Sequence, residues 1–214
     1  MESTKKIKVK RAPKRGLYDK ETIYKILDAH YICQIAFVHE SYPVIIPTIY
    51  GRDNEFIYIH GATVSRMLVA LEKGVSISLN VTQTDGIVLA RSAFHHSLNY
   101  HSVTLFGEGK LVTNDDERYK ALEIISNQII PGRWGEVRLP NDKEMKATKI
   151  LKIPITEASA KIRTGPPIDD KPDYELPIWA GVVPINTSFG TPITDVCLDK
   201  NISIPESVKK LLKL

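Results

Sequence analysis

Long hydrophobic runs are missing from this 214-residue chain. No apolar stretch approaches the roughly 18 residues that a membrane-spanning helix needs, which argues against a helical membrane protein. Cysteine is nearly absent: Cys33 and Cys197 stand far apart with no CxxC partner. They suit a reducing compartment, and both read as small buried hydrophobes. Met1 to Lys6 lack the apolar core of a secretory leader, so the chain is expected in the cytoplasm. No GxGxxG follows a strand, which argues against a dinucleotide fold of the parallel kind. No internal repeat, zinc finger or helix-turn-helix pattern is present.

What is there is ordinary for a globular domain, with 43% hydrophobic and 25% charged residues and room for one sizeable core. The net charge of +4 is uneven, because Lys5, Lys6, Lys8, Lys10, Arg11, Lys14, Arg15 and Lys20 crowd the start. That run has no interleaved aromatics for stacking on bases, so a nucleic-acid partner is not expected. Residues 1–14 read as a flexible solvated tail, 15–190 as the folded domain and 191–214 as a C-terminal extension.

The chain is organised around Phe56-Ile57-Tyr58-Ile59-His60-Gly61-Ala62-Thr63-Val64-Ser65-Arg66. The β-rich run before Gly61 reads as a strand, and Met67, Leu68 and Leu71 after it recur at helical spacing. A strand turning through Gly into a helix leaves backbone N–H groups free, Thr63 or Ser65 can cap them, and Arg66 adds a full positive charge. This is a small anion site suited to a phosphate monoester. An ordinary capped strand–turn–helix with a solvated Arg gives the same local pattern.

Elsewhere short strands dominate. A helix capped by Asp19 is expected over 20–29, then strands at 32–38, 44–50 and 55–60, and a helix at 64–72 closed by Gly74. Val75 to Thr84 alternates, Asp85-Gly86 is a tight-turn signal, and Ile87 to Ala90 returns. Ser102–Phe106 and Lys110–Val112 read as a pair around Gly107. A helix capped by Asn114 or Asp115 runs to Pro131-Gly132, and a short one covers 142–149. A long strand at 151–162 is broken at Pro154, Trp179–Ile185 is a last strand, and a helix follows Pro205. Antiparallel strands at close spacing with few helices predict a mainly β fold, a small barrel.

A second polar cluster lies at Arg91-Ser92-Ala93-Phe94-His95-His96-Ser97-Leu98-Asn99-Tyr100-His101-Ser102. Neighbouring histidines on a strand point to opposite faces, and no Cys or paired carboxylate lies close in sequence, so no metal site is expected. The group suits recognition of a polar planar ring by several hydrogen bonds; a polar loop with hydrogen-bonded histidines is the plainer reading.

These segments resemble the flavin-nucleotide-binding branch of the pyridoxamine 5′-phosphate oxidase-like superfamily, which is related to the nitroimidazole-resistance proteins. The resemblance lies in His60-Gly61-Ala62 with Ser65-Arg66, in Asp85 to Tyr100, and in Pro131-Gly132-Arg133-Trp134. Glu157 to Lys161 with Arg163 and Gly165-Pro166-Pro167, and Trp179-Ala180-Gly181-Val182, extend it over roughly residues 10 to 190. It implies an FMN-binding split barrel, a homodimer with the flavin at the subunit interface. By this resemblance Ser65 and Arg66 hold the FMN phosphate beside Ala62 and Thr63. Met67 stands where the oxidases carry Lys; either Arg91 replaces it or the phosphate relies more on the helix N-terminus. Pro47-Thr48-Ile49-Tyr50 would lie along the isoalloxazine, with His60 near the ring or ribityl chain. Ser102 stands where the oxidases carry a flavin-contacting Gln, and His101 where relatives carry Arg.

The implied activity is an FMN-dependent oxidoreductase of unknown small-molecule substrate. Thr48 and Ser102 would bond the ring edge, and His60 or His96 would serve as proton donor. The substrate-gripping Arg and His set of true pyridoxamine phosphate oxidases is not found near the C-terminus. The alternative is a non-catalytic flavin or heme carrier, the histidines ligating the iron.

Overall fold

The computed structural model describes residues 4–213. The first three residues of the basic segment and Leu214 of the C-terminal extension lie outside the described residues. Ten strands in antiparallel pairs make one curled sheet. They are β1 (Gly16–Leu17), β2 (Ile32–His39), β3 (Tyr42–Asp53), β4 (Phe56–Ala62), β5 (Ser76–Leu89), β6 (Ser97–Glu108), β7 (Lys110–Leu111), β8 (Thr148–Pro154), β9 (Glu157–Arg163) and β10 (Gly181–Pro184). Their order is β1-β9-β6-β5-β2-β3-β4-β8-β7, with β10 on the outer part of β5. Five α-helices decorate it among the described residues: α1 (Lys20–Asp28), α2 (Arg66–Glu72), α3 (Asp115–Ile129), α4 (Asp142–Ala147) and α5 (Glu206–Leu212).

The barrel forms because β3 serves two sheets. Its first part, to Ile49, pairs with β2, and Tyr50 to Asp53 pairs with β4. The sheet then rolls until β6 nears β8: a Cβ on Gly107 would lie 3.3 Å from Ile153 Cγ2. The two edges stay unpaired with each other, so the barrel is split. Alternation sends Cys33, Ile35 and Phe37 inward from β2, Ile77, Leu79 and Val81 from β5, and Val103 and Leu105 from β6. Ile23, Ile26 and Leu27 of α1 close one mouth of this core. Asp19 caps α1 by accepting from Thr22 N at 2.8 Å. A second cluster, Tyr58, Val112, Ala121, Ile125 and Ile150, seats α3 on the outside of β4 and β8.

Four expectations need correction. Asp85-Gly86 is no turn: β5 runs through as one 14-residue strand with a bulge between Thr84 and Gly86. Pairing passes from Thr84↔Tyr100 to Gly86↔Asn99, which leaves Asp85 as the extra residue. Gly86 is required because β10 crosses there, and a Cβ would meet Val182 Cγ1 at 2.9 Å. Second, Lys110–Leu111 pairs with β8 and not with the strand before it. Third, Cys197 is exposed, whereas Cys33 is buried and its thiol is pushed up to about 12 by desolvation. Fourth, the basic start is tied down from Thr4 onward. Ile7 is buried, Lys6 pairs with Glu157 at 2.9 Å, and Val9 N donates to Tyr18 Oη at 2.8 Å.

Candidate functional site

The β4–α2 corner comes first. Ser65 is the N-cap of α2, yet neither it nor Thr63 caps with its side chain. The amides of Thr63 and Ser65 are spent on Ala147 O and Ala62 O, at 3.1 and 2.9 Å. With seven residues, α2 offers little dipole, so the anion site rests on Arg66 and the two hydroxyls. Ala62, Thr63 and Arg66 are exposed, Ser65 half-buried, and Met67 turns into the core. The other cations at this corner are committed. Lys149 pairs with Glu72, while Arg118 holds Asp115 at 2.8 Å and the carbonyls of Met145 and Thr148. Among the described residues, no carboxylate lies in ion-pair reach of Arg66.

His60 lies on the β4 face that carries Tyr58, under α3 and opposite the barrel core. Its Nδ1 is shut off from solvent with no partner, and burial lowers its pKa below the ordinary imidazole value. Burial therefore favours the neutral imidazole over the charged one.

The 91–102 cluster forms a second locus. Ala93–His95 is a 3-10 turn and β6 starts only at Ser97, so His95 and His96 are not strand neighbours. Asp169 organises the turn, accepting from Arg91 N at 3.0 Å, Arg91 Nη1 at 3.1 Å and Ser92 N at 3.4 Å. Burial raises this carboxyl, and the donors outweigh it, leaving Asp169 below the usual carboxylate range. Arg91 also stacks 4.9 Å over the Tyr174 ring. His96 Nδ1 accepts from Ala90 N at 3.0 Å, which puts the proton of the neutral ring on Nε2. His95, Asp170 and Asp173 bring ligand atoms within 4.8 Å of one another, a grouping the sequence hides because its carboxylates lie some 75 residues away. Arg163 is buried against Asn99 Oδ1 and donates also to Gly165 O and Pro166 O, while its Nε is buried without a partner.

The two loci are separate in one chain. β5 begins just after α2 and ends just before Arg91, and 14 residues span about 45 Å at roughly 3.3 Å each. Within one chain Arg91 therefore does not reach the corner where position 67 lacks a Lys, and it is engaged by Asp169. Thr48 and Ser102 are also kept apart. Thr48 pairs with buried Cys33 and shares its inner side, whereas Ser102 lies opposite Thr82 on the outer face of the sheet.

That outer face is built in two halves. Ile32, Val38, Ile45 and Ile49 are exposed on β2 and β3, with Ile45 68% accessible, and Pro47 lies among them. Beside them in register come Ser78, Asn80 and Thr82 of β5, then Ser102 and Thr104 of β6. Asn80 Nδ2 donates to Thr104 Oγ1 at 3.1 Å, and Thr82 Oγ1 donates to Asn80 Oδ1 at 2.7 Å. An apolar strip beside a row of amides and hydroxyls fits a flat heteroaromatic with a polar edge.

A third locus was hidden from sequence reading. The bulge turns Asp85 onto His101, with Oδ2 2.9 Å from Nδ1. His30, just after α1, brings its ring to 5.7 Å from that of His101. A cavity of about 350 Å³ opens beside them, lined by Leu17, Ile26, Ala29 and Ile162 together with Thr22, Lys25 and Thr164. The available signal was an Asp-Gly pair inside an otherwise continuous alternating strand.

The open antiparallel barrel defines the class, a split barrel of the flavin-binding, pyridoxamine 5′-phosphate oxidase-like kind. A family model described as pyridoxamine 5′-phosphate oxidase matches residues 19–162, and the chain belongs to that family. The flavocytochrome Anf3 from Azotobacter vinelandii is similar at 36% identity and a TM-score of 0.92, over 97% of both chains. The FAD and heme binding protein from Mycobacterium smegmatis is similar at 35% identity and a TM-score of 0.89, over 92% of this chain and 97% of its own. A proposed 5-nitroimidazole antibiotic resistance protein from Bacteroides thetaiotaomicron shares the fold at 19% identity and a TM-score of 0.56, over 69% of this chain and 86% of its own. No curated protein sequence matches the chain. No helix among the described residues is long and apolar enough to cross a membrane.

Proposed function

We propose that this protein is a cytoplasmic flavin-dependent oxidoreductase that also carries a heme, and that it works as a homodimer with the flavin between the two copies. The observation that carries this reading is the likeness to a flavocytochrome over 97% of the chain at 36% identity, well beyond the matched family segment. The flavin supplies two-electron chemistry and the heme one-electron chemistry when bound. The residues present fit a flavin: an apolar strip beside a row of ring-edge donors and acceptors, and an unpaired Arg66 at an exposed turn. In a two-fold dimer, opposite ends of β5 from two copies can meet, so the Arg66 corner of one copy would sit near the 91–102 segment of the other. His96, with its proton on Nε2, and neutral His60 are the candidate proton donors.

The resemblance in sequence implies FMN, whereas the Mycobacterium smegmatis relative is named for FAD. A single cation at the turn favours FAD. Each phosphate of the FAD diphosphate carries one negative charge, so one cation matches the phosphate at the turn while the second must be held elsewhere. The FMN monoester instead concentrates close to two charges on one phosphate. Native mass spectrometry of the purified full chain tests the whole proposal. A dimer that releases FAD and heme on denaturation is expected. A monomer without cofactor overturns the reading, and released FMN overturns only the choice of flavin.

A further inference from the structure

We propose that His101, oriented by Asp85, is the protein ligand to the heme iron through its Nε2, in the cavity beneath α1. The inference rests on the reading above that the protein carries a heme, and it names which of the six histidines takes the iron. An iron-ligating imidazole needs one bare ring nitrogen, with the other N–H held by a carboxylate or carbonyl that fixes the tautomer and raises ligand basicity. His101 meets that requirement: Nδ1–H donates to Asp85 Oδ2 at 2.9 Å, which leaves the lone pair on Nε2. The pair is reachable, with the side chains of His101 and Asp85 28% and 35% accessible.

The other histidines meet these criteria less well. His96 accepts at Nδ1 from the Ala90 amide, so its Nε2 is protonated and offers no lone pair. His95 also faces a carboxylate, but its Nε2 lies 3.4 Å from Asp170 Oδ2, and the cavity it lines is walled mainly by charged and polar groups, among them Arg11, Arg15, Arg163 and Asp169. His39 stands at the β2–β3 hairpin near Glu40. His60 has its Nδ1 sealed with no partner. His30 has its Nε2 sealed in the same way, and Asp85 acts on it through charge without a hydrogen bond. His101 combines a carboxylate-held Nδ1 with a wall of a cavity whose aliphatic side, Leu17, Ile26, Ala29 and Ile162, offers the apolar contact a porphyrin face requires, with Thr22, Lys25 and Thr164 on its polar side.

The backbone is shaped for this pair. His101 lies directly opposite Gln83, and Asp85 is its diagonal neighbour only because the strand carries one extra residue there. Gly86 makes the bulge possible under β10, and Asp85 O accepts from Ile185 N at 3.0 Å, which pins the bulge from its far side. Bulges of this kind re-aim a side chain next to functional sites.

The test uses the full chain as purified and reads heme content, the Soret band and the heme reduction potential. His101→Ala is expected to retain flavin and lose heme at least tenfold, with added imidazole restoring the Soret band. Asp85→Asn is expected to keep heme at a raised potential, because the weaker acceptor leaves the imidazole less basic. His39→Gln should leave heme content and band position as in the unmodified chain. If His101→Ala does not fold, His101→Met exchanges nitrogen for a thioether at similar volume, and the Soret band should move. An unchanged Soret band in His101→Ala or His101→Met overturns the assignment while leaving heme binding intact. An unmodified chain that takes up no heme overturns the heme reading itself and this assignment with it.

Discussion

Replacing Arg66 by alanine is expected to weaken flavin binding by roughly ten- to a hundredfold while leaving the barrel intact. The corner it occupies has no substitute charge from its own chain. Met67 is buried, Lys149 is held by Glu72, Arg118 is held by Asp115 and two carbonyls, and Arg91 lies at the far end of β5. The amides of Thr63 and Ser65 are already bonded within the chain, so neither of these two can compensate. A charge-assisted phosphate contact is worth about 1.5–3 kcal/mol, and each 1.4 kcal/mol is about tenfold in affinity. Arg66 is exposed, so its loss opens no cavity. Quenching of flavin fluorescence on titration into the cofactor-free protein measures the effect. Affinity unchanged by the substitution would mean that the phosphate is bound elsewhere.

Ile45→Asp is expected to convert the dimer into monomers and to release the flavin. Ile45 is 68% accessible in the single chain, so an aspartate there is tolerated by the fold. Its neighbours Ile32, Val38 and Ile49 extend the apolar strip, a patch that soluble monomers rarely leave bare. A two-fold interface places the substitution twice. An unpaired charge buried on association costs about 3–5 kcal/mol. The dissociation constant should rise at least about a hundredfold, read by sedimentation across a concentration series. A variant that remains dimeric and yellow would move the interface away from β2 and β3.

Much of the fold was legible because alternation is a strong signal. β2 was expected over 32–38 and spans Ile32–His39, and the Asp19 and Asn114 caps sit where local chemistry put them. The misreadings share one cause, contacts distant in sequence that override a local cue. Asp85-Gly86 has the chemistry of a hairpin, but β10, about a hundred residues on, packs over it and keeps the strand extended. Lys110–Leu111 leaves its expected partner because Gly109 packs against Leu151 and Leu71, a Cβ there lying 3.3 Å from Leu151 Cδ1. The basic start resembled a free tail by charge alone, yet Glu157 draws in Lys6 from the other end of the domain.

The candidate site divides along the same line. Ser65 and Arg66 were readable because a strand, a Gly and a helix start are contiguous. The ties from Arg91 to Asp169 span 78 positions, and the Asp85–His101 pair depends on a bulge that no local pattern announces. Thr48 and Ser102 look equivalent in a linear reading, and only the strand register shows that they face opposite sides of the sheet.

The measurement that bears most directly on the central claim is the visible absorption spectrum of the protein as purified, before and after anaerobic addition of a reductant. A flavin envelope together with a Soret band, both changing on reduction, is the predicted result. A colourless protein that takes up neither flavin nor heme when they are supplied would contradict the account.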